Sequence, residues 1–137
     1  MNRVFVYGTL KRGFPNFNAG MQDQRFIGRY RTADAYPLVI AGRWLTPVMI
    51  AEPGVGHRVF GELFQVTDRA LTLLDRLEGT HLPTGYHRET ISVEHSRDGG
   101  SVEAWVYLKH RDRIDVVHTE PMPEYRLDPR YIPPTRR

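Results

Sequence analysis

A short apolar run near the start of the chain ends in a glycine-containing loop, and this loop is the first candidate binding element. Val4-Phe5-Val6 leads into Tyr7-Gly8-Thr9-Leu10, and Gly, Pro and Asn recur from there to Gly20. Glycine allows the backbone to approach a ligand closely, and successive N–H groups in such a turn favour a carboxylate or a phosphate. The sequence therefore predicts an anion-binding loop at 7–10, unless the segment is an ordinary exit from a strand.

The second candidate is a glutamate at the end of an amphipathic segment, residues 68–78. At about 100° per residue in a helix, Glu78 falls between Leu74 and Leu71, on the apolar side. Burial and the negative end of the helix dipole both raise the pKa of a carboxyl group in that position, which suits proton transfer near neutral pH. The alternative is that the helix frays before Glu78, whose side chain then reaches solvent or pairs with Arg88.

Other side chains could support either candidate. Glu62 alternates with apolar residues along a predicted strand, and we expect it to be a structural partner for a buried arginine or a backbone N–H. Asp75 is expected to support the helix or a nearby loop. Tyr86 and Tyr107 are candidates for the wall of a substrate pocket, although each could equally be a half-buried strand aromatic, and Tyr125 is a similar case.

The residue patterns of several common reactions are missing from the sequence. The chain contains no cysteine, which excludes disulfides, thiol nucleophiles and thiolate metal sites. Its six histidines show no metal-ligand spacing, and its serines form no Gly-x-Ser-x-Gly elbow. No nucleotide-binding fingerprint is present either. We therefore expect neither a metal nor a cofactor.

Length and composition indicate one globular domain, 1–137, with 40% hydrophobic and 26% charged residues. No apolar run approaches the length of a membrane span, and no signal peptide is recognisable, so a cytoplasmic protein without a membrane partner is expected. The net charge of +3 is small, and the basic residues form no stripe interleaved with aromatics. We therefore expect no nucleic-acid partner.

The hydrophobic pattern predicts mostly strands and one principal helix. The predicted strands are 3–7, 25–31, 37–41, 44–50, 57–66, 86–95 and 101–109. The helix spans about 68–78, with Thr67 or Asp68 as the N-cap and Gly79 just after its end. The tail, 119–137, contains five prolines and is expected to lack regular structure, but its apolar residues should pack it along the domain.

Several motifs occur together in one order along nearly the whole chain. They are Val4–Gly13 with Pro15-Asn16, Tyr36–Gly42, Gly61-Glu62-Leu63, Leu74–Glu78, Tyr86-His87-Arg88 and Arg126–Arg130. This ordered set resembles the γ-glutamylamine cyclotransferases, within the wider γ-glutamylcyclotransferase-like family. The resemblance implies an α+β fold in which a compact, mixed, β-barrel-like sheet carries one principal helix and a proline-rich tail packed on the domain.

The resemblance also implies a reaction without cofactor, in which the α-amine of a γ-glutamyl amide attacks its own γ-carbonyl to give 5-oxoproline and a free amine. Glu78 is then the general acid and base, and Tyr7, Gly8, Thr9 and Leu10 hold the substrate. The expected partner is a small γ-glutamyl molecule, with the protein acting as a monomer or weak homodimer. Residues 80–85 depart from the family pattern and could shape the leaving-group side of the site.

Two other functions remain open from the sequence. The same fold could serve as a binding or interaction domain without turnover, since a fold does not determine a function. The same chemistry could also remove a γ-glutamyl protecting group from an intermediate of secondary metabolism. Neither alternative changes the residues that we expect at the site.

Overall fold

The computed structural model describes residues 2–137 and contains seven strands and two α-helices. The strands are β1 (Asn2–Val6), β2 (Arg25–Tyr36), β3 (Leu38–Ala41), β4 (Thr46–Met49), β5 (His57–Val66), β6 (His87–His95) and β7 (Ser101–Leu108). The helices are α1 (Phe17–Gly20) and α2 (Asp68–Leu77). The predicted α+β fold with one principal helix is confirmed, whereas the single turn α1 lies in a segment that we expected to be a loop.

Five strands close into a barrel in the order β1-β5-β2-β6-β7. Neighbouring strands are antiparallel except at the closure, where β1 runs parallel to β7 with Val4 opposite Trp105. The hairpin β3-β4 forms a separate two-stranded sheet. Closure leaves no free edge on the barrel strands and brings the end of β1, which carries the 7–10 loop, beside β7.

Alternating side chains divide the barrel strands into an inner and an outer face. On β5, Val59 and Leu63 belong to the inner core cluster, whereas Phe64 belongs to a second cluster outside the barrel that includes α2 residues. Gly61 lies where β1 and β5 approach closely, since a Cβ there would be 2.4 Å from the carbonyl oxygen of Val6. Because side chains alternate along β5, Glu62 lies on the same face as Phe64, which is the outer face of the barrel wall.

Helix α2 closes that outer face. The Thr67 hydroxyl accepts a hydrogen bond from the N–H of Ala70 at 3.1 Å, which confirms the predicted N-cap. The apolar side of α2 is buried through Ala70, Leu71 and Leu74, which pack with residues of β1, β5 and β7. The helix end is thereby held over the junction of β1 and β7.

The proline-rich tail runs back along the domain. The backbone N–H of Met122 donates to the carbonyl of Leu38 on β3, and the N–H of His118, just before the tail, donates to the carbonyl of Ile40. Tyr125 is fully buried in the inner core cluster. Contrary to the expectation of no regular structure, Pro134–Arg136 forms one turn of 3-10 helix. No helix in residues 2–137 has both the length and the apolar character needed to cross a membrane.

Candidate active site

One cavity of about 120 Å³ opens where β1, β7 and the end of α2 meet. All seven residues that we predicted for the site line it: Tyr7, Gly8, Thr9, Leu10, Glu78, Tyr86 and Tyr107. The two sequence signals, which are about seventy residues apart, are thus brought to a single place. A volume of this size admits several water molecules, and so also a small polar ligand.

The loop after β1 forms one wall of the cavity. Gly8 is required there because a Cβ would lie 2.7 Å from the Cγ of Pro47. In residues 2–137 the N–H groups of Gly8, Thr9 and Leu10 donate to no protein acceptor. The Thr9 hydroxyl accepts a hydrogen bond from the side-chain amide of Asn16 at 2.8 Å, which holds the loop in shape. Three free donors in succession make this wall suited to a carboxylate or an oxyanion.

The end of α2 places Glu78 in the wall of the same cavity. Glu78 is the C-cap residue, and Gly79 follows it with φ +68°. The N–H of Gly79 donates to the Arg76 carbonyl at 3.1 Å, and the N–H of Thr80 donates to the Asp75 carbonyl at 3.0 Å. These two bonds are the Schellman motif, which fixes the last turn of a helix. The helix therefore does not fray before Glu78, and the side chain is directed by an ordered backbone.

The Glu78 carboxyl is half-buried and accepts no hydrogen bond from any group in residues 2–137. Burial raises its pKa from the ordinary value of 4.5 to about 7, and the positive charge of Lys109 acts in the opposite direction. The predicted upward shift in pKa is thus confirmed, with burial as its principal cause. At neutral pH both protonation states of this carboxyl are populated, as a group that must take and return a proton requires.

Three tyrosines complete the walls and are held by hydrogen bonds to the protein. The Tyr7 hydroxyl donates to the carbonyl of Tyr107 at 2.6 Å and accepts from the N–H of Met49 at 3.2 Å. The Tyr86 hydroxyl donates to the carbonyl of Pro47 at 2.8 Å. Burial raises the pKa of each of these phenols, so they are neutral at physiological pH. They act as rigid polar walls and not as proton donors to Glu78.

Asp75 supports this arrangement from the side of the helix. The hydroxyl of Tyr107 donates to Asp75 Oδ1 at 2.8 Å, and Arg88 Nε lies 3.0 Å from the same oxygen. Arg88 is therefore engaged by Asp75, and the alternative in which it pairs with Glu78 is wrong. The Asp75 side chain therefore joins α2 to strands β6 and β7, and does not support the helix or a nearby loop as we expected.

Two residues that we considered for the site lie elsewhere. Glu62 accepts a hydrogen bond from the backbone N–H of Arg12 at 2.8 Å, which confirms a structural role, although the Arg12 side chain is exposed and not buried. Glu62 and Tyr125 line a separate depression with Lys11. Of the two carboxylates, Glu78 lines the cavity and Glu62 does not.

Some cavity residues were missed by the sequence analysis. These are Phe5, Val6, Asn16, Thr46, Pro47, Leu77, Pro134 and Arg137. Pro134 and Arg137 reach the cavity from the tail, and Thr46 and Pro47 reach it from β4. Four of them, Phe5, Val6, Asn16 and Leu77, lie inside the motifs that carried the family resemblance.

A histidine pair and a glutamate also come together outside this cavity. Ligand atoms of His87, Glu89 and His110 all lie within 4.8 Å of one another, and His87 contacts Glu89 directly. Their sequence spacing gave no indication of this grouping, which the pairing of β6 with β7 creates. None of the three lines the cavity that contains Glu78.

Comparisons with known proteins bear on the same residues. The profile of the family described as "Gamma-glutamyl cyclotransferase, AIG2-like" matches residues 4–127. A γ-glutamylaminecyclotransferase from Bos taurus is 39% identical over 126 residues, which cover 89% of this chain and 74% of that protein. One from Rattus norvegicus is 42% identical over 118 residues, covering 78% and 77%.

The fold of this chain is also similar to that of a solved structure. The crystal structure of an AIG2-like protein from Mus musculus superposes on this chain with a TM-score of 0.83 and 32% sequence identity. The superposition covers 100% of this chain and 99% of that chain. The similarity therefore includes the loop after β1, the end of α2 and β7, which together form the cavity.

Proposed function

This chain belongs to the AIG2-like γ-glutamyl cyclotransferase family, and we propose that Glu78 carries out the proton transfers of its reaction. The reaction converts a γ-glutamyl amide into 5-oxoproline and a free amine. The observation that carries the proposal is that Glu78, with its pKa raised to about 7, lines the same cavity as three free N–H donors.

The first step forms the ring. The substrate's α-amine loses a proton to the Glu78 carboxylate and attacks the γ-carbonyl carbon, so that a C–N bond forms and the carbonyl oxygen becomes an oxyanion. Because nucleophile and electrophile belong to one molecule, holding it in a ring-like conformation contributes on the order of 7–11 kcal/mol. The small, rigid cavity between Tyr7, Tyr86 and Tyr107 favours such a conformation over an extended one.

The second step releases the amine. The protonated Glu78 donates its proton to the amide nitrogen, the bond from that nitrogen to the γ-carbon breaks, and the carbonyl reforms as 5-oxoproline. One group can serve as base and then as acid because its pKa lies near the working pH, which contributes about 10²–10⁴-fold in rate. The carboxyl is thereby returned to its starting state.

The N–H groups of Gly8, Thr9 and Leu10 hold the negatively charged oxygens of the substrate. These are the α-carboxylate, which is charged throughout, and the oxyanion, which is charged only during the reaction. Donors fixed in advance at such a position need no reorganisation when the charge develops. The hydrogen bond from Asn16 to Thr9 keeps them in position.

The test is release of 5-oxoproline from a panel of γ-glutamyl-lysine isopeptide, γ-glutamyl-alanine, a γ-glutamyl alkylamine and glutathione. Wild type is compared with Glu78→Gln and with Glu103→Gln, which removes an exposed carboxylate on β7 outside the cavity. We expect release from at least one compound with wild type and Glu103→Gln, and a loss of about 10²–10⁴-fold with Glu78→Gln. Full activity of Glu78→Gln would refute the assigned role.

A folded wild-type protein that binds these compounds but releases no 5-oxoproline would instead indicate a binding domain. A ligand-induced rise in melting temperature distinguishes that outcome from a substrate outside the panel, because a bound ligand stabilises the folded state by mass action.

A further inference from the structure

A basic groove lies next to the cavity. We define this basic groove by Arg43, Lys109 and Arg113, which line a depression of about 410 Å³ together with Thr84 and Asp115. Thr46 lines both the groove and the cavity, so the two are neighbours. Within residues 2–137 Asp115 is the one acidic side chain on the groove wall.

The cations of the groove are free of carboxylate partners. Six arginines elsewhere are within 4.0 Å of a carboxylate oxygen, but Arg43, Lys109 and Arg113 have no such partner in residues 2–137. Arg43 lies over the ring of Trp44, 4.3 Å from its centroid, and Arg113 donates to the carbonyl of Pro83 at 2.9 Å. Arg43 and Arg113 are therefore held in place without a carboxylate partner, whereas the charges of Glu78 and Asp115 act on Lys109.

Lys109 links the groove to Glu78. Its ammonium lies 4.7 Å from the centroid of the Tyr86 ring, half-buried and without a hydrogen-bond acceptor in residues 2–137. The charges of Lys109 and Glu78 influence each other, so the groove begins beside the carboxyl group. A half-buried cation without a partner is destabilising, and an anion brought by a ligand would offset that cost.

The position of the groove relates it to the leaving amine. Proton return from Glu78 requires the amide nitrogen to lie next to this carboxyl, so whatever the nitrogen carries must leave the cavity beside it. Thr46, which lines both the cavity and the basic groove, places the groove beside that exit. Pro83 and Thr84 belong to the 80–85 loop, which places this family departure on the leaving-group side.

We propose that the basic groove is a subsite for a negatively charged substituent on the leaving amine, a carboxylate or a phosphate, bound by Lys109 and Arg113. This inference rests on the proposed cyclotransferase function. An amine with a terminal anion would be preferred over a neutral amine of the same length, and an amine with a terminal cation would be disfavoured. Partly exposed ion pairs of this kind give a preference of about two- to fivefold per contact.

The experiment compares kcat/KM for four γ-glutamyl amides of similar length. Their amines are 6-aminohexanoate, 6-aminohexanamide, 1,5-diaminopentane and 5-aminopentyl phosphate, of which the amide is the neutral isostere of the carboxylate. We expect wild type to prefer at least one anionic amine over the neutral one by about five- to twentyfold. The preference should shrink as salt is raised from 0.05 to 0.5 M, because salt screens exposed charges.

Variants test whether the groove residues cause the preference for an anionic amine. Arg113→Gln should lower the ratio of kcat/KM for anionic over neutral substrate by about two- to fivefold, and Lys109→Gln should lower it too. Using the ratio removes the effect that Lys109 has on Glu78 itself. Arg97→Gln, which removes an exposed charge from the β6-β7 hairpin outside groove and cavity, is the matched control and should leave the ratio unchanged.

The carboxylate and phosphate substrates show which anion the subsite takes. Equal kcat/KM for all four substrates, or a ratio insensitive to Arg113→Gln, would overturn the subsite while leaving the cyclotransferase function intact. Absence of turnover with these four amides and with the four γ-glutamyl compounds of the first panel would refute the proposed function, and the subsite with it.

Discussion

Replacing Glu78 with glutamine should make the protein more stable above pH 7, although the same substitution should remove its activity. The substitution keeps the size and shape of the side chain but removes the ionisable group. The wild-type carboxyl has a pKa of about 7 in the folded protein, against an ordinary value of 4.5. Ionising it in the folded state therefore costs free energy that the uncharged amide does not.

The magnitude follows from this shift in pKa. Each unit corresponds to 1.36 kcal/mol, so the ionised Glu78 lowers the free energy of unfolding by about 3 kcal/mol above pH 7. Below pH 4.5 the group is protonated in both states, and the effect vanishes. Between these values the folded state binds more protons than the unfolded state, so wild type loses stability relative to Glu78→Gln as pH rises.

Urea denaturation of wild type, Glu78→Gln and Glu103→Gln at several pH values from 4.5 to 8 measures this difference. For a chain of 137 residues, about 3 kcal/mol corresponds to a difference in melting temperature of about 10 °C. The control should follow the pH dependence of wild type, because its carboxyl is exposed. Comparing variants removes the contributions of every other titrating group.

The reasoning would be refuted by either of two results. One is a Glu78→Gln variant that is no more stable than wild type at pH 8. The other is a stability difference that stays constant from pH 4.5 to 8, since a difference without pH dependence does not come from ionisation of Glu78. A positive result would mean that the site gives up stability for a carboxyl group with a pKa near neutrality.

Three further predictions concern groups that position or tune the site. Tyr7→Phe should lower the free energy of unfolding by about 1–3 kcal/mol, because the buried carbonyl of Tyr107 loses its donor; urea denaturation measures this. Thr67→Ala should cost about 1 kcal/mol by removing the N-cap of α2, and Thr67→Ser, which keeps the hydroxyl, should restore most of it. Lys109→Met should raise the pKa of Glu78 above about 7, because a nearby positive charge is lost, and the pH profile of kcat/KM measures the change.

Each of these three predictions would be contradicted by a specific result. A Tyr7→Phe protein of wild-type stability would mean that water replaces the hydroxyl. Equal stabilities of the Thr67→Ala and Thr67→Ser proteins would exclude the cap as the cause. An unchanged or lowered pKa in Lys109→Met would show that the ammonium does not interact with the carboxyl.

The sequence was sufficient for most of the local structure. The strands at 57–66 and 101–109 show the alternation of a half-buried sheet, and the observed β5 and β7 agree with them within one residue. Helix α2 begins after Thr67 and ends before Gly79 as predicted, because capping depends on residues within one turn. The single turn α1 escaped notice because four residues are too few to show a helical period.

Local sequence patterns could not predict which residues distant in sequence contact each other. Glu62 and Glu78 are both carboxylates beside apolar residues, and only the closure of the barrel shows that Glu62 lies on the outer face against Arg12. Arg88 could have paired with either Asp75 or Glu78 by sequence, and the packing of α2 on β7 selected Asp75. The periodicity of apolar residues shows which side of a helix or strand is apolar. It does not show which residues pack against that side.

From the sequence alone, Glu78 could be predicted as a candidate for a buried carboxyl group with a raised pKa. The spacing of Leu71, Leu74 and Glu78 on one helix favours burial, which raises the pKa, but it leaves open that the helix end frays. The tertiary structure decided what surrounds this carboxyl: the free N–H groups of the 7–10 loop, Lys109 from the end of β7 and Arg137 from the tail. These groups come together because the barrel closes and the tail packs back along the domain. Contacts between residues so far apart in sequence produce no periodic pattern in the sequence.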